Sequence, residues 1–505
     1  MIATSRSAVQ PLLVAILVLI STVVLAVTAA VSAALSAAVA LTVATTPLVV
    51  PGTGTKNPAN SNNYMQNAVA YYVATSGTCG DGCGAPVPVP YISEFWPFPF
   101  PGWGGLEGAK WNVSVASGVA SLDEQLDLAD PNADNPVAIF GYSQGATVTS
   151  IMKSRLADEY GGTIPGWINL VVIGNPNRPS GGLFERLAAL GTVPILDATF
   201  GQPTRTDTSD EVNTYDIALQ YDGVTDAPSW LLNSLALANA LAGFEYTHPT
   251  YLAPDGDDPI TETPYGYTPQ QVQAAIENAQ ASCTAETHCQ QHGDTRYITL
   301  PARVLPIMQP FLDFEASTGT SALVIPVVDL VSPLAQTLIE TGYDRTDYAR
   351  PTPFQLVPKV NPVKLVSDLA QDIPEGINAA RNPGLDPLPG WTDPLQAADA
   401  AEPEAQVDGP TTVAVAQKTA PKPDRKPPVR LSPIARPGEG LSTTGADGAT
   451  GADGASLRKA LGVKDHPVRD FAKSPDTAVR KALGQDGKPG SDNKNDNDGD
   501  SKSAA

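Results

Sequence analysis

Positive charge is what this chain has least of for its length. Its 505 residues carry 31 Lys and Arg against 53 Asp and Glu, a net charge of −22. A nucleic-acid binder shows a basic face, so this balance argues against nucleic acid as a partner. Histidine is scarce too, with four residues in all, which narrows the choice of any catalytic base. Cysteine is equally rare: Cys79 and Cys83 form one local pair, Cys283 and Cys289 another. Charge of either sign is missing between Arg6 and Lys56, and aromatic residues nearly vanish beyond Pro394.

The uncharged stretch contains a run from Val9 to Ala40 that is almost wholly Val, Leu, Ile and Ala. A positive start followed by such a run reads as an export signal, and it also reaches the ~20 residues that span a bilayer. An uncleaved membrane anchor and a cleaved signal therefore both stand, and either one exports the rest of the chain. Cysteine usage agrees with an oxidising compartment: each pair is expected to close as a small disulfide. The alternative, zinc held with His288 and His292, has spacings that do not match the common zinc motifs. No metal is expected. The tail, rich in Pro, Lys, Asp, Gly and Ala, repeats Gly-Ala-Asp-Gly at 445 and 451 and Arg-Lys-Ala-Leu-Gly at 458 and 480. It has too little apolar surface to offset its ordering entropy and is expected to be disordered, with cell-wall contact as one role.

Between these ends lies Gly141-Tyr142-Ser143-Gln144-Gly145. An apolar run, Pro136–Phe140, precedes it and a helical pattern, Ala146–Ala157, follows. Strand, tight turn and helix are the context a nucleophile elbow requires. Glycine fits both flanks because a Cβ there would meet the neighbouring strand or helix. The spacing puts the Ser143 hydroxyl above the sheet, with the Gln144 amide aimed at a developing oxyanion. Further strands are predicted at 40–50, 86–93 (a sheet edge, given its prolines), 167–173 and 214–221. They alternate with helical patterns over 60–74, 113–128 and 230–242. That alternation predicts an α/β fold with a mostly parallel sheet. The expected organisation is an anchor or signal at 1–40, an α/β-hydrolase domain at 41–300, a helical, proline-rich extension at 301–394 and the tail at 395–505.

A serine nucleophile needs a base. His466 lies in the tail, and His288 and His292 sit in or beside the second cysteine pair, which leaves His248. The hydrolase order nucleophile, acid, base then requires an aspartate between Ser143 and His248 at a strand end. Asp222 and Asp226 both follow the 214–221 strand. Asp226, three residues past Gly223 and just before Ala-Pro, is the preferred acid, and Asp222 is the alternative. A second oxyanion donor is expected from Gly52-Thr53-Gly54, with the Thr53 amide as candidate. The loop Phe95–Trp103 places five aromatic rings in nine residues. It is expected to line an acyl-chain site, rest on a membrane surface, or fold under the helical extension as core.

With these residues assembled, the chain resembles the mycobacterial PE-PPE C-terminal domain family, which is related to the cutinases. The resemblance covers roughly residues 45–350. It rests on Gly-Tyr-Ser-Gln-Gly-Ala at 141–146, Gly-Asn-Pro-Asn-Arg-Pro at 174–179, Tyr-Asp-Gly-x-x-Asp-x-Pro at 221–228, His-x-x-Tyr at 248–251 and Gly-Tyr-Asp-Arg at 342–345. It implies an α/β-hydrolase fold, a Ser–Asp–His triad and activity on carboxylic esters, without a cofactor. A hydrophobic segment stands where family members usually carry a helical PE or PPE module. In that respect the chain is similar to membrane-anchored, cutinase-like members, some of which act as acyltransferases assembling trehalose glycolipids. The expected substrate is an acyl ester or lipid, with water or a sugar hydroxyl as acceptor. A non-catalytic envelope protein is the reading from a different class.

Overall fold

The computed structural model describes residues 44–399, apart from 81, 257–262, 357–359 and 384–387. The predicted anchor or signal and nearly all of the predicted tail lie outside the described residues. Seven strands form the main sheet: β1 (Thr46–Val50), β2 (Val87–Pro88), β3 (Val137–Tyr142), β4 (Ile168–Ile173), β5 (Thr214–Leu219), β6 (Cys289–His292) and β7 (Thr295–Leu300). Their spatial order is β2-β1-β3-β4-β5-β7-β6, with every neighbour parallel except the β6–β7 pair. From β1 the chain moves outward to β2 at the edge. It then returns to the other side of β1 as β3 and proceeds to β4 and β5. The sheet thus changes direction between β1 and β3, and the carboxyl ends of two such strands frame a crevice.

Parallel strands are buried on both faces, and β3 is apolar along its whole length for that reason. Alternate residues serve opposite faces. Val49, Phe140, Val171 and Ile217 pack with Tyr72, Tyr251, Val272 and Ile276 on one side. Leu48, Ile139 and Ile168 pack with Val115, Leu122, Val148 and Met152 on the other. The second face is covered by α1 (Trp111–Ala129) and α2 (Gln144–Glu159). The first is covered by the helical segment Tyr64–Asn67, continued by Ala68–Val73, and by Pro269–Ala281 further along the chain. After α3 (Ser234–Tyr246) comes α4 (Pro269–Ala281), which opens on a capping box between Thr268 and Gln271.

Three more helices, α5 (Gln309–Thr318), α6 (Ser321–Glu340) and α7 (Pro362–Arg381), follow the sheet. Ile325, Val328 and Ile339 of α6 share a cluster with Tyr221, Ala236 of α3 and Leu312 of α5. Gly376 of α7 lies so close to α6 that a Cβ there would come within 2.2 Å of the Leu330 carbonyl oxygen. Among the described residues α6 alone is long and apolar enough to cross a membrane. The expected disulfides form, Cys79 with Cys83 and Cys283 with Cys289. Sulfurs bonded to each other offer no thiolate to zinc, and the His292 Nε2 lies instead 3.5 Å from an Asp347 oxygen.

Buried polar groups tie the layers together. The Lys153 Nζ of α2 donates to Asp294 Oδ1 at 2.8 Å, and both side chains are fully buried. Asn175 donates to Asp216 at 2.8 Å, and the Arg178 guanidinium donates to Thr299 at 2.9 Å and stacks on Tyr348. The Gly-Asn-Pro-Asn-Arg-Pro segment therefore knits β4, β5 and β7.

Glu185 is different. It is buried, and its Oε1 has no hydrogen-bond partner among the described residues. Burial raises its carboxyl pKa from 4.5 to about 7, and the Gln202 backbone and Arg186 offset this only in part. A carboxyl that holds its proton more tightly when folded stabilises the fold below its unfolded pKa, and that contribution is lost as pH rises through the folded value. Stability should therefore fall by ~2–3 kcal/mol as pH rises from the unfolded to the folded pKa, then level off. Glu185→Gln should remove that slope. Urea midpoints for both proteins across this range check it, and parallel pH profiles would refute it.

Candidate active site

The turn after β3 is strained. Ser143 has φ 54° and ψ −115°, a conformation that L-residues rarely adopt and that persists only where the surroundings impose it. The surroundings here are backbone. A Cβ on Gly145 would lie 2.4 Å from the Val50 carbonyl oxygen of β1. One on Gly141 would lie 2.6 Å from the Gly145 carbonyl oxygen. Only glycine lets α2 start this close to β1 and β3, and that closeness lifts Ser143 clear of the sheet.

His248 follows α3, and its Nε2 lies 2.9 Å from Ser143 Oγ. Its Nδ1 lies 2.9 Å from Asp222 Oδ2. The Tyr142 hydroxyl donates to the His248 carbonyl oxygen and the two rings pack together, fixing the backbone that carries the imidazole. The loop after β4 leaves room for the ring: Gly174 has φ 54°, and a Cβ there would lie 2.9 Å from His248 Cε1.

The acid is where sequence preference and structure part. Asp226, preferred above, does not face His248. Its Oδ1 accepts from Arg345 Nη1 at 2.7 Å and its Oδ2 from the Tyr221 amide at 2.8 Å. Burial pushes its carboxyl pKa up, but the Arg345 charge and these hydrogen bonds outweigh it and hold the group below the usual range. Asp222, the alternative, meets the imidazole. The cause is the chain reversal at Tyr221, whose φ is 68°, two residues past the end of β5. Asp222 is fully buried and doubly held: Val224 N donates to its Oδ1 at 2.8 Å, and the Tyr251 hydroxyl donates to its Oδ2 at 2.9 Å. The same Tyr251 oxygen accepts from Leu219 N at 2.8 Å. Burial, with Asp222 adding to it, raises the Tyr251 pKa well above its ordinary value, so the phenol keeps its proton and remains a donor. Its position three residues after His248, in His-x-x-Tyr, was the available signal for this contact.

The two expected oxyanion donors flank Ser143. Gln144 opens α2, so its amide has no intrahelical acceptor. Its side chain is tied elsewhere, accepting from Ser114 at 2.9 Å and donating to the Glu94 carbonyl at 3.1 Å. The loop after β1 abuts the serine, since a Cβ on Gly52 would lie 3.3 Å from Ser143 Cβ. In that loop the Gly52 amide is bound to the Tyr64 hydroxyl and the Gly54 amide to the Ser93 carbonyl. The Thr53 amide between them has no acceptor among the described residues.

An aromatic wall rises beside these groups. Phe244 of α3 stacks on the His248 ring at 6.1 Å between centroids and touches Phe100 and Trp103. Gly102 pins the aromatic loop to the Thr53 loop, because a Cβ there would lie 2.3 Å from the Gly54 carbonyl oxygen. The loop joins the core only at its start, where Phe95 packs on Trp111; Phe98 is exposed, and Phe100 and Trp103 are half-buried. A hydroxyl, an imidazole and a carboxylate in series can move a proton off the hydroxyl, and flanking amides can hold a negative oxygen.

The PE-PPE domain family model matches residues 88–344, just over half of the chain. Esterase PE16 of Mycobacterium tuberculosis is 32% identical over 352 residues, which is 68% of this chain and 56% of that protein. Diacyltrehalose acyltransferase Chp2 of the same species is 26% identical over 264 residues, 50% of this chain and 64% of that one. The chain spans about half the length of the curated relatives it matches. A novel cutinase-like protein from Cryptococcus sp. is similar at 18% identity over 36% of this chain and 78% of that one, with a TM-score of 0.21, too slight a likeness to bear on the site. With the family model matching from the end of β2 into the Gly-Tyr-Asp-Arg segment, this chain belongs to the PE-PPE domain family.

Proposed function

We propose that this protein is an exported serine carboxylester hydrolase. The observation that carries the reading is the unbroken line Ser143 Oγ–His248 Nε2, His248 Nδ1–Asp222 Oδ2, each step 2.9 Å. In this reading His248 takes the Ser143 proton as Oγ attacks the acyl carbonyl. Asp222 holds the imidazole tautomer and stabilises the imidazolium. The Gln144 and Thr53 amides receive the tetrahedral oxyanion, each such donor contributing on the order of 3 kcal/mol to the barrier reduction. His248 then returns the proton to the leaving alcohol, and the acyl group stays on Ser143. Water, deprotonated by the same histidine, releases it. The wall of Phe100, Trp103 and Phe244 gives the acyl chain an apolar surface beside the reacting bond. The apolar N-terminal run supports export, with the membrane as a partner if it stays uncleaved.

The acceptor is the second reading. An alcohol can take the place of water at the acyl-enzyme, and the likeness to a protein named for acyl transfer to an acylated trehalose favours a sugar hydroxyl. Incubating purified protein with an acyl donor, with and without trehalose, separates the two by product analysis. Free acid alone supports hydrolysis, and an acylated sugar supports transfer.

Ser143→Ala should lower kcat on p-nitrophenyl esters by at least ~10³-fold while leaving the thermal midpoint unchanged, and retained turnover would remove Ser143 from the role. The two aspartates should differ: Asp222→Asn should cost on the order of 10³–10⁴ in kcat, and Asp226→Asn no more than about a hundredfold. Steady-state kinetics on both variants decide this, and the reverse ranking would make Asp226 the acid.

A further inference from the structure

The acid loop is held from outside the sheet. Asp226 bridges the amide of Tyr221, the residue directly before Asp222, and the guanidinium of Arg345, 119 residues further on. Arg345 is itself clamped. Its Nε donates to Glu340 Oε2 at 2.9 Å and its Nη2 to Glu340 Oε1 at 3.0 Å, with the Tyr343 ring 4.4 Å from its central carbon. Glu340, the last residue of α6, also accepts from Gln220 Nε2 at 3.0 Å. One carboxylate–guanidinium–carboxylate chain therefore grips both sides of Tyr221 and Asp222. The grip bears on the one point in the loop where a bulky residue holds φ 68°, a conformation its own sterics disfavour. On the other side α3 presses on the same spot, since a Cβ on Gly243 would lie 1.8 Å from the Tyr221 carbonyl oxygen. The Gly342 carbonyl accepts from the Ser229 and Trp230 amides, so the segment carrying Arg345 is fastened to the chain just beyond Asp226.

We infer that Arg345, acting through Asp226, is a positioning residue for the acid: it holds Tyr221 left-handed so that the Asp222 carboxylate stays on His248. The inference rests on the serine-hydrolase reading for its effect on rate, but not for its effect on geometry. Both Arg345 and Glu340 lie in the segment after the last strand, so that segment supplies part of the frame for the triad.

Arg345→Met tests it. Without the strut the Asp222–His248 contact loosens, and kcat should fall about ten- to a hundredfold with KM changed less than about twofold. The acid limb of the kcat/KM profile should move to lower pH, because an imidazolium that loses its carboxylate is easier to deprotonate. Removing a cation near the site would by itself move the limb the other way, so the direction separates the two causes. The double variant Asp226→Asn/Arg345→Met, which leaves net charge unchanged, should show the same downward move, and Arg345→Lys should recover part of kcat. Should Arg345→Met fail to fold, Glu340→Gln loosens the clamp while sparing the Arg345–Asp226 pair; losing an anion lowers the limb by itself, so the readout there is the downfield His248 Nδ1 proton, which should broaden by exchange. Proton NMR gives a readout independent of turnover. The downfield resonance of the His248 Nδ1 proton should persist in Ser143→Ala and be lost or exchange-broadened in Arg345→Met. An unmoved acid limb and an intact resonance in folded Arg345→Met would overturn the inference. Loss of the resonance in a protein whose Ser143→Ala variant keeps full turnover would instead uphold the strut and overturn the serine reading.

Discussion

Everything at the site hangs on the close approach of α2 to β1 at Gly145. Because no side chain intervenes, the helix begins directly above the gap between β1 and β3, and the turn feeding it is forced into a backbone conformation that serine does not choose for itself. The strain, of order 1–3 kcal/mol for such a residue, is held by the buried sheet beneath. That same gap is where the strand order reverses, so the loop leaving β1 arrives beside the serine without a dedicated device. The hydroxyl and the two candidate oxyanion amides thus share one cause, the packing of two neighbouring parallel strands against one helix end.

The other members are delivered by longer routes. β5 ends, the chain turns back at Tyr221, and the carboxylate of Asp222 emerges under the imidazole. α3 then runs over Tyr221 and ends two residues before His248. Tyr251 closes the circuit, linking the amide at the end of β5 to Asp222, and Tyr72 donates to its carbonyl from the covering helical segment. Tyr72, Tyr142 and Tyr251 are therefore more than apolar bulk. Each carries a buried hydroxyl that would be costly to leave unpaired, and the pairings of these three fix which loop lies against which.

Much of this was legible in the residue order. The strands 137–142, 168–173 and 214–219 and the helices over 111–129, 144–159 and 234–246 follow the periodicity of their apolar residues, because burial on two faces or one stripe leaves that imprint. The proline-spaced 86–93 segment was expected at an edge and is one, though only two of its residues pair. Asp226 was misjudged for a physical reason. Its spacing from Gly223 is a local pattern, whereas its true partner, Arg345, is distant in sequence, and a tyrosine gives no warning that it will adopt a left-handed turn. The strands β6 and β7 were not anticipated either. Gln, His, Arg and Thr dilute their alternation, and the cysteine pair reads as a loop when in fact its second member opens a strand. Helix α4 is masked similarly by its run of glutamine and alanine, and only its capping box announces it.

The two-residue edge at β2 has a consequence for how the molecule behaves among its own copies. A parallel sheet that ends in an open strand offers unpaired amides to any extended chain nearby, a standing invitation to polymerise. Here Pro86, Pro88 and Pro90 remove every second donor from that margin, and the chain leaves the ladder after Pro88. At this margin the seven-stranded sheet is thereby a poor template for a further strand to join.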